Sequence, residues 1–479
     1  MILLECVTIC VYVVSVMLGS SALIGSKKAH HDSLDMCNIN SPSAFGKVDS
    51  VTGWHKMYEK LHLKIHRPHY LDFGITTTLL HPAFGKFVDI FTGQNVEDIR
   101  SDNEFAIRFS STMCQVFSDE SKRNTEVNCM LSEYLNSDIQ PAHLVPGKKS
   151  ETDGTLFTMV NGARVPLCIF EVKNELGSGS SDPTIQGLGY YMQILQSKSH
   201  FRECTSMPVL LLSISGPFLL FFFLANTDAV VMDPAAFLCC FFLPQDVPQM
   251  TQLARALRAM KECIKELERS YQNTAGMVAQ DVLLEQLQFP YFKSFPLPDG
   301  KKVELVYIKQ VERRLVFLAQ TQMNGQDTTV IVKFARSYNV EAHKICYSFA
   351  EGAPKLFYHG QLNGSWTVMV MEYLTAMSVV GKKCLTLLQY QSLSNLITEL
   401  HSEGYVHGDL REYNIMVGDE TDRVCLIDFD WAGKEGEAIY PNFMNHIDVQ
   451  WPAGASDGKK ILKEHDLYFL SNHRSYIVT

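Results

Sequence analysis

Two groups of residues in this sequence have the types and spacing that chemistry requires. The first is His407-Gly408-Asp409-Leu410-Arg411-Glu412-Tyr413-Asn414, followed fourteen residues past Asn414 by Asp428-Phe429-Asp430. A loop aspartate, an asparagine five residues on and a second aspartate at the end of the next strand are what phosphoryl transfer needs. Asp409 would accept a hydroxyl proton, while the Asn414 amide and the Asp428 carboxylate would hold Mg²⁺ on ATP. The second group is Glu171-Val172-Lys173 with Asp153. Residues two apart on a strand share a face, so Glu171 and Lys173 are presented together. Two carboxylates converging from a hairpin bind Mg²⁺ through hard oxygens and leave positions for water, which a neighbouring lysine can orient or help deprotonate. That constellation suits phosphodiester hydrolysis.

The elements that must position these groups are legible in outline. Val127, Met130, Leu131, Tyr134 and Leu135 form the apolar stripe of a helix over 120–136, which carries Glu126. Two strand-like runs flank Asn161-Gly162, a dipeptide that readily supplies the positive φ angles of a tight hairpin, and the second strand runs from Val165 to Lys173. A helix from Pro183 to about Ser197, opened by Gln186, and two buried strands joined at Gly216-Pro217 complete an α/β unit. Leu253, Leu257, Met260, Ile264, Leu267 and Tyr271 recur three and four apart and predict an amphipathic helix that connects two units, either docked on a neighbouring domain or self-associating. In the second unit, Leu393, Leu396, Ile397 and Leu400 stripe a helix that ends near Gly404, just before the His407 cluster.

At 479 residues the chain should hold two to three domains. Its 46% apolar and 20% charged residues exclude a disordered chain, and a net charge of −10 argues against a basic nucleic-acid coat while leaving room for a local basic groove. Thirteen cysteines, odd in number, without a C-x-x-C pair and set in apolar runs, read as reduced, buried thiols and hence a cytoplasmic or nuclear working compartment. Residues 2–25 are almost continuously apolar, long enough to span a bilayer and followed by Lys27-Lys28, so they read as a signal peptide, a retained anchor or a buried start; any membrane contact would run through them.

The order of Glu126, Asp153-Gly154, Glu171-Val172-Lys173, then Gln186 with Tyr190-Tyr191, resembles the PD-(D/E)XK, restriction-endonuclease-like fold, and more narrowly the nuclease-like domain that precedes a kinase-like one in crinkler-type effectors. The resemblance implies Asp153 and Glu171 as metal ligands, Lys173 as catalytic lysine, Glu126 and Gln186 as supporting groups, and DNA as a partner. Thr152 stands where the motif usually has proline. A fold kept for binding, with its metal site unused, is the alternative.

His407 to Asn414 with Ile427-Asp428-Phe429-Asp430 resembles the catalytic and metal-binding loops of the protein-kinase-like superfamily. That implies ATP and Mg²⁺ as cofactors, Lys333 on Val330-Ile331-Val332-Lys333 as the phosphate-contacting lysine, Glu341 as its ion-pair partner, and Met371-Glu372-Tyr373-Leu374 as the hinge that takes the adenine edge. Three departures follow: no glycine lies between Tyr307 and Gln320, Gly408 replaces the usual arginine, and no A-P-E follows, which implies a shortened substrate-binding part. Loss of that arginine argues against control by activation-loop phosphorylation. The expected organisation is a leader at 1–26, a variable region at 27–95, a restriction-endonuclease-like α/β domain at 96–247, a connecting helix at 248–274, and a compact two-lobed protein-kinase-like domain at 275–479. A protein substrate is expected, with a small hydroxylated molecule or a pair of inactive binding folds as alternatives; oligomeric state stays open.

Overall fold

The computed structural model describes residues 41–47, 63–65, 74–94, 100–144, 150–179, 181–241, 245–274, 284–311, 314–323 and 325–477. The apolar leader, residues 2–25, lies outside them. No helix among the described residues is long and apolar enough to cross a membrane. The chain divides into a unit within Gly19–Phe292 and a unit within Lys293–Thr479.

The first unit is built on a six-stranded sheet of β1 (Leu63–Ile65), β2 (Gly154–Val160), β3 (Ala163–Lys173), β4 (Val209–Ser215), β5 (Phe218–Asn226) and β6 (Val230–Cys239), in the order β1-β6-β5-β4-β3-β2. The β2–β3 hairpin turns at Asn161 (φ 49°) and Gly162 (φ 76°), and the positive angles are the ones this dipeptide accommodates. β3 and β4 run parallel, so they need a crossover, which the helix Pro183–Ser197 supplies. β4 is buried along its whole length, which explains why apolar residues fill it from Val209 to Leu212 without alternation, Ser213 and Ser215 being the polar exceptions.

Two boundaries differ from those the sequence suggests. The helices Thr77–Leu80 and Pro82–Phe91 fall in the stretch expected as a variable leader, yet Phe84 and Phe87 are wholly buried and Phe84 stacks on Phe223 at 4.5 Å. The expected connecting helix, Val247–Asn273, buries Leu253, Leu257, Met260 and Leu267 in the first unit's own core, and its Tyr271 hydroxyl donates to Pro208 O at 3.0 Å. Periodicity reveals a helix with a buried face; it does not say what buries it. Every cysteine among the described residues is a free thiol, but Cys114, Cys129 and Cys384 are exposed, so the expectation of uniformly buried thiols fails there.

The second unit begins with a small hairpin, β7 (Ser294–Pro296) and β8 (Lys302–Glu304). An antiparallel sheet follows, of β9 (Val306–Gln310), β10 (Val316–Met323), β11 (Gln326–Ala335), β12 (Leu356–Leu362) and β13 (Trp366–Glu372), in the order β12-β13-β11-β10-β9. Lys333 sits on the central strand, across from Val316 and Met369. The rest of the unit is helical and looped. The helix Leu387–Ser402 starts at a capping box, in which Thr386 and Gln389 each bond the other's backbone, and buries Leu393, Leu396, Ile397 and Leu400. Short strands β14 (Met377–Val379), β15 (Tyr405–Val406), β16 (Ile415–Gly418), β17 (Val424–Leu426) and β18 (Gly433–Lys434) pin the loops, and the helix Lys463–Asn472 closes the described chain with a 3₁₀ turn.

Candidate active site

In the first unit, β2 and β3 bring Asp153 and Lys173 to a cavity of about 650 Å³ whose wall also holds Glu120, Gln186, Tyr190 and Lys47. Asp153 immediately precedes β2. Its carboxylate accepts from Val172 N at 2.8 Å, while Asn124 and Asn128 donate to its carbonyl at 2.9 and 2.8 Å. Those amides explain Gly154, since a Cβ there would meet Asn128 Oδ1 at 2.7 Å. Glu171 lies behind the wall with no exposed surface, and neither of its carboxylate oxygens finds a hydrogen-bond partner in normal geometry. Burial, then the Asp153 charge, hold its carboxyl well above the usual range, although the Asp153 amide and the Lys173 ammonium pull the other way. Burial also raises Asp153, against the opposing Val172 hydrogen bond.

Glu126 is not part of this cluster. It is exposed on the helix Glu120–Leu135, and the carboxylate that reaches the site is Glu120 at that helix's first turn, 3.0 Å from Lys173 Nζ. The apolar stripe fixes the inward face near Val127 and Leu131, and Glu126 lies off it. Gln186 does line the cavity, bonded by the Ser181 hydroxyl at 2.9 Å. Among the described residues no three His, Cys, Asp or Glu side chains gather as a metal-holding group. A cation here would rest on Asp153 and the partnerless Glu171, hard oxygen donors that fit Mg²⁺ in type.

In the second unit a larger cavity, about 1040 Å³, collects Lys333, Asp409, Asn414, Asp428 and Asp430 with Arg314 and Arg411. The His407–Asn414 loop is tied from three sides. Asp466, buried in the last helix, accepts from His407 N at 2.8 Å, Gly408 N at 2.9 Å and His401 Nε2 at 3.0 Å. His407, fully buried, reaches Ile427 O at 3.1 Å. Asn414 Nδ2 donates to the Asp409 carboxylate at 2.8 Å and carbonyl at 2.9 Å, which leaves its amide oxygen for a hard cation beside Asp428. Gly408 takes φ +81°, and a Cβ would come within 2.9 Å of Ile461 Cδ1. The missing arginine is therefore a matter of space and backbone, since this loop admits only glycine without strain.

Asp428 also has a positive φ, 70°, costly for a non-glycine residue and held because Phe429 is buried between His343 (ring centroids 4.9 Å apart) and His407 (5.2 Å). Lys333 Nζ bonds both Asp428 and Asp430, the latter at 2.5 Å. Burial would lower the Lys333 ammonium, but the two carboxylates outweigh it and raise it. One ammonium cannot fully neutralise two carboxylates. Asp428, despite its burial, is held low by Lys333 and by Arg314 at 3.9 Å; Asp430, desolvated and beside Asp428, is pushed up to about 7.

The lysine's partner is thus not Glu341. That residue lies in the first turn of the helix Val340–Ser348, is exposed, and pairs with Lys344 at 2.9 Å. Asp430 takes the place expected for it, and the D-F-D repeat was the signal available. Glu372 ends β13, but its carboxylate is spent on Lys355 N at 3.0 Å and Arg423 at 3.4 Å, so the hinge presents main chain. Sequence reasoning also missed Arg411, whose guanidinium grips both Asp409 oxygens (Nη2 to Oδ2, 2.8 Å), and Asp466. Where a glycine loop was expected and absent, the β9–β10 hairpin brings Arg314, Leu315 and Val316 to the cavity wall.

The RIO domain family model matches residues 364–436, the stretch holding Asp409, Asn414, Asp428 and Asp430. No curated protein matches the chain. Among solved structures, the Cydia pomonella granulovirus kinase PK-1 is similar at 14% identity and a TM-score of 0.24, covering 28% of this chain and 53% of its own, so the chain spans about half that kinase's length. Vaccinia related kinase 3 is similar at 15% identity and a TM-score of 0.30, covering 40% of this chain and 68% of its own. The RIO match and the geometry, not these low scores, make the second unit a kinase-like domain.

Proposed function

We propose that the second unit is an ATP-dependent phosphotransferase acting on the serine or threonine hydroxyls of proteins. The observation that carries this is the convergence of Lys333, Asp409, Asn414 and Asp428 on one cavity from three separate segments, the strand β11, the His407–Asn414 loop and the loop after β17. Lys333 would hold phosphate, and Asn414 and Asp428 would hold Mg²⁺, which would supply neutralising charge at the phosphates, while Asp409 orients the acceptor hydroxyl and takes its proton. Arg411 keeps the Asp409 carboxylate aimed. With Gly408 in the loop, switching by activation-loop phosphorylation is not part of this reading. The test is label transfer from [γ-³²P]ATP together with Mg-ATP stabilisation of the full chain. Asp409→Asn should still bind ATP and lose about 10²–10⁴ in kcat. A wild type that binds Mg-ATP but transfers no label, even to itself, would leave an inactive binding module in its place.

A second reading concerns the first unit. The partnerless, buried Glu171 beside Asp153 and Lys173 is expensive to keep unless a cation uses it. It supports a Mg²⁺-dependent phosphodiesterase of the PD-(D/E)XK kind, with DNA as substrate, in an effector of crinkler type working in the cytoplasm or nucleus. Absence of cleavage of any DNA or RNA across Mg²⁺ and Mn²⁺ conditions would refute it.

A further inference from the structure

The first unit holds a second cavity beside the one that contains Asp153. It measures about 380 Å³ and lies between the sheet and residues 176–184. Lys173, Gly179 and Ser181 line both cavities and form their common border. The strand register explains the adjacency. Glu171 pairs with Ser213, Ser213 with Leu220, and Leu220 with Phe237; in the next row, Lys173 pairs with Ser215 and Ser215 with Phe218. Partners across strands share a face, so one face of the sheet runs from a carboxylate and an ammonium on β3, through two hydroxyls on β4, to apolar side chains on β5 and β6.

The helix Pro183–Ser197 packs on the β3 and β4 part of that face. A Cβ on Gly187 would meet Leu211 at 2.4 Å, and the Thr184 hydroxyl donates to Ser213 at 3.3 Å. Farther along, the face is apolar and open. Phe237 is 69% exposed, Leu176 on the opposite wall 68%, and Phe218 and Leu220 are half-buried. Such side chains, gathered at one cavity, add little to folding and mark a binding surface. The lining selects what binds. Aromatic rings stack on any flat base, and the hydroxyls of Ser213, Ser215 and Thr184 both donate and accept, as base edges require. Asp182 on the wall is spent on Ile185 N at 2.9 Å, which leaves Lys173, at the border with the carboxylate site, as the charge nearest a phosphate. A lipid chain or an apolar peptide side chain would leave the hydroxyls without use.

We propose that this cavity binds an unpaired nucleobase, on the same strand whose phosphodiester lies against Asp153 and Lys173, so that the first unit takes single-stranded rather than duplex nucleic acid. The inference rests on the phosphodiesterase reading of the neighbouring site, which places the phosphate. Adjacent strands lie about 4.8 Å apart, so the two steps from Lys173 to Phe218 span about 10 Å, short enough for a phosphate and a nearby base of one strand to occupy both cavities. A base still paired and stacked in a duplex cannot enter between the sheet and Leu176; it has to leave the stack first.

The test uses the full chain with Ca²⁺ in place of Mg²⁺, and a fluorescein-labelled oligothymidylate, free or annealed to its complement, followed by anisotropy. Tighter binding of the free strand is expected. Phe237→Ser should weaken that binding roughly 5–100-fold with an unchanged melting transition, since the side chain it removes is largely exposed. Phe237→Trp should restore the affinity and add fluorescence quenching, beyond that of wild type, when the strand binds. Equal affinity for strand and duplex, or wild-type affinity in Phe237→Ser, overturns the base cavity; so does a wild-type dimer that Phe237→Ser makes monomeric, because the face then belongs to a second copy. Cleavage separates the two readings. Mg²⁺-dependent cleavage that is as fast on duplex as on single strand and survives Phe237→Ser overturns the base cavity and keeps the phosphodiesterase. Binding of single strand through Phe237, with no cleavage under Mg²⁺ or Mn²⁺, overturns the phosphodiesterase and keeps the base cavity.

Discussion

Removing the Asp466 carboxylate should damage the kinase-like unit more than any exposed catalytic substitution. Asp466 is 1% exposed and its two oxygens take up the backbone N–H groups of His407 and Gly408, at 2.8 and 2.9 Å, with His401 beside them. Asp466→Ala strands both amides in a site too tight for solvent. A buried donor left without an acceptor costs about 1–3 kcal/mol, so two should cost about 2–6 kcal/mol. With a urea m-value of roughly 1–3 kcal/mol/M, the midpoint should fall by on the order of 1–3 M. Asp466→Asn keeps one acceptor oxygen and should lose about half as much. Urea unfolding followed by tryptophan fluorescence suits the question because Trp366, Trp431 and Trp451 all lie in this unit. The substitution should also lower kcat, since the loop it straps carries Asp409. An Asp466→Ala protein with the wild-type midpoint would show that the loop holds itself, and the strap argument would be wrong.

Gly408→Ala should lower the melting temperature of the same unit, because φ +81° and the 2.9 Å approach to Ile461 together cost about 1–3 kcal/mol; an unchanged melting curve would mean the loop relaxes freely. In the first unit, burial pushes His81 down to about 4 while it accepts from Ala83 N at 3.2 Å. Its folded value lies below its ordinary one, so its stabilisation is complete above about pH 6.5 and is lost as pH falls toward 4. His81→Asn should flatten stability across that window in pH-dependent unfolding, and an unaltered slope refutes the assignment. Glu171→Gln, which replaces a carboxyl that burial holds toward its neutral form by a group of the same shape, should leave the melting temperature of the metal-free protein nearly unchanged while ending any Mg²⁺-dependent cleavage; full cleavage by the variant would show that no cation uses this carboxylate.

What the sequence made legible was local. The helix predicted over 120–136 appears as Glu120–Leu135, the Asn161-Gly162 turn closes the expected hairpin, and Lys333, Asp409, Asn414 and Asp428 meet at one cavity, because spacing along a strand or loop constrains them directly. What failed was choice among neighbours. Glu126 and Glu120 lie on one helix, Glu341 and Asp430 are both acidic and near the lysine in some plausible packing, and only tertiary contacts decide between them. Asp466 was invisible for the same reason, since a lone aspartate in a helix carries no mark of the loop it holds. The domain limits failed because a stripe on Val247–Asn273 does not name its partner.

That last helix has a consequence for how the protein is made. It covers the core of the first unit, and β1 pairs with β6 across a long separation, Leu63 opposite Val230. The ribosome releases the chain in order, so strand β4 emerges about 60 residues ahead of Tyr271, and at roughly 5–20 residues per second the apolar face that this helix covers waits some 3–12 s for cover. During that interval the nascent chain offers an open, sticky sheet. Expression of the first unit should therefore respond to translation speed and to nascent-chain chaperones more than its final stability suggests, and slowing synthesis between codons 226 and 271 should lower the soluble yield.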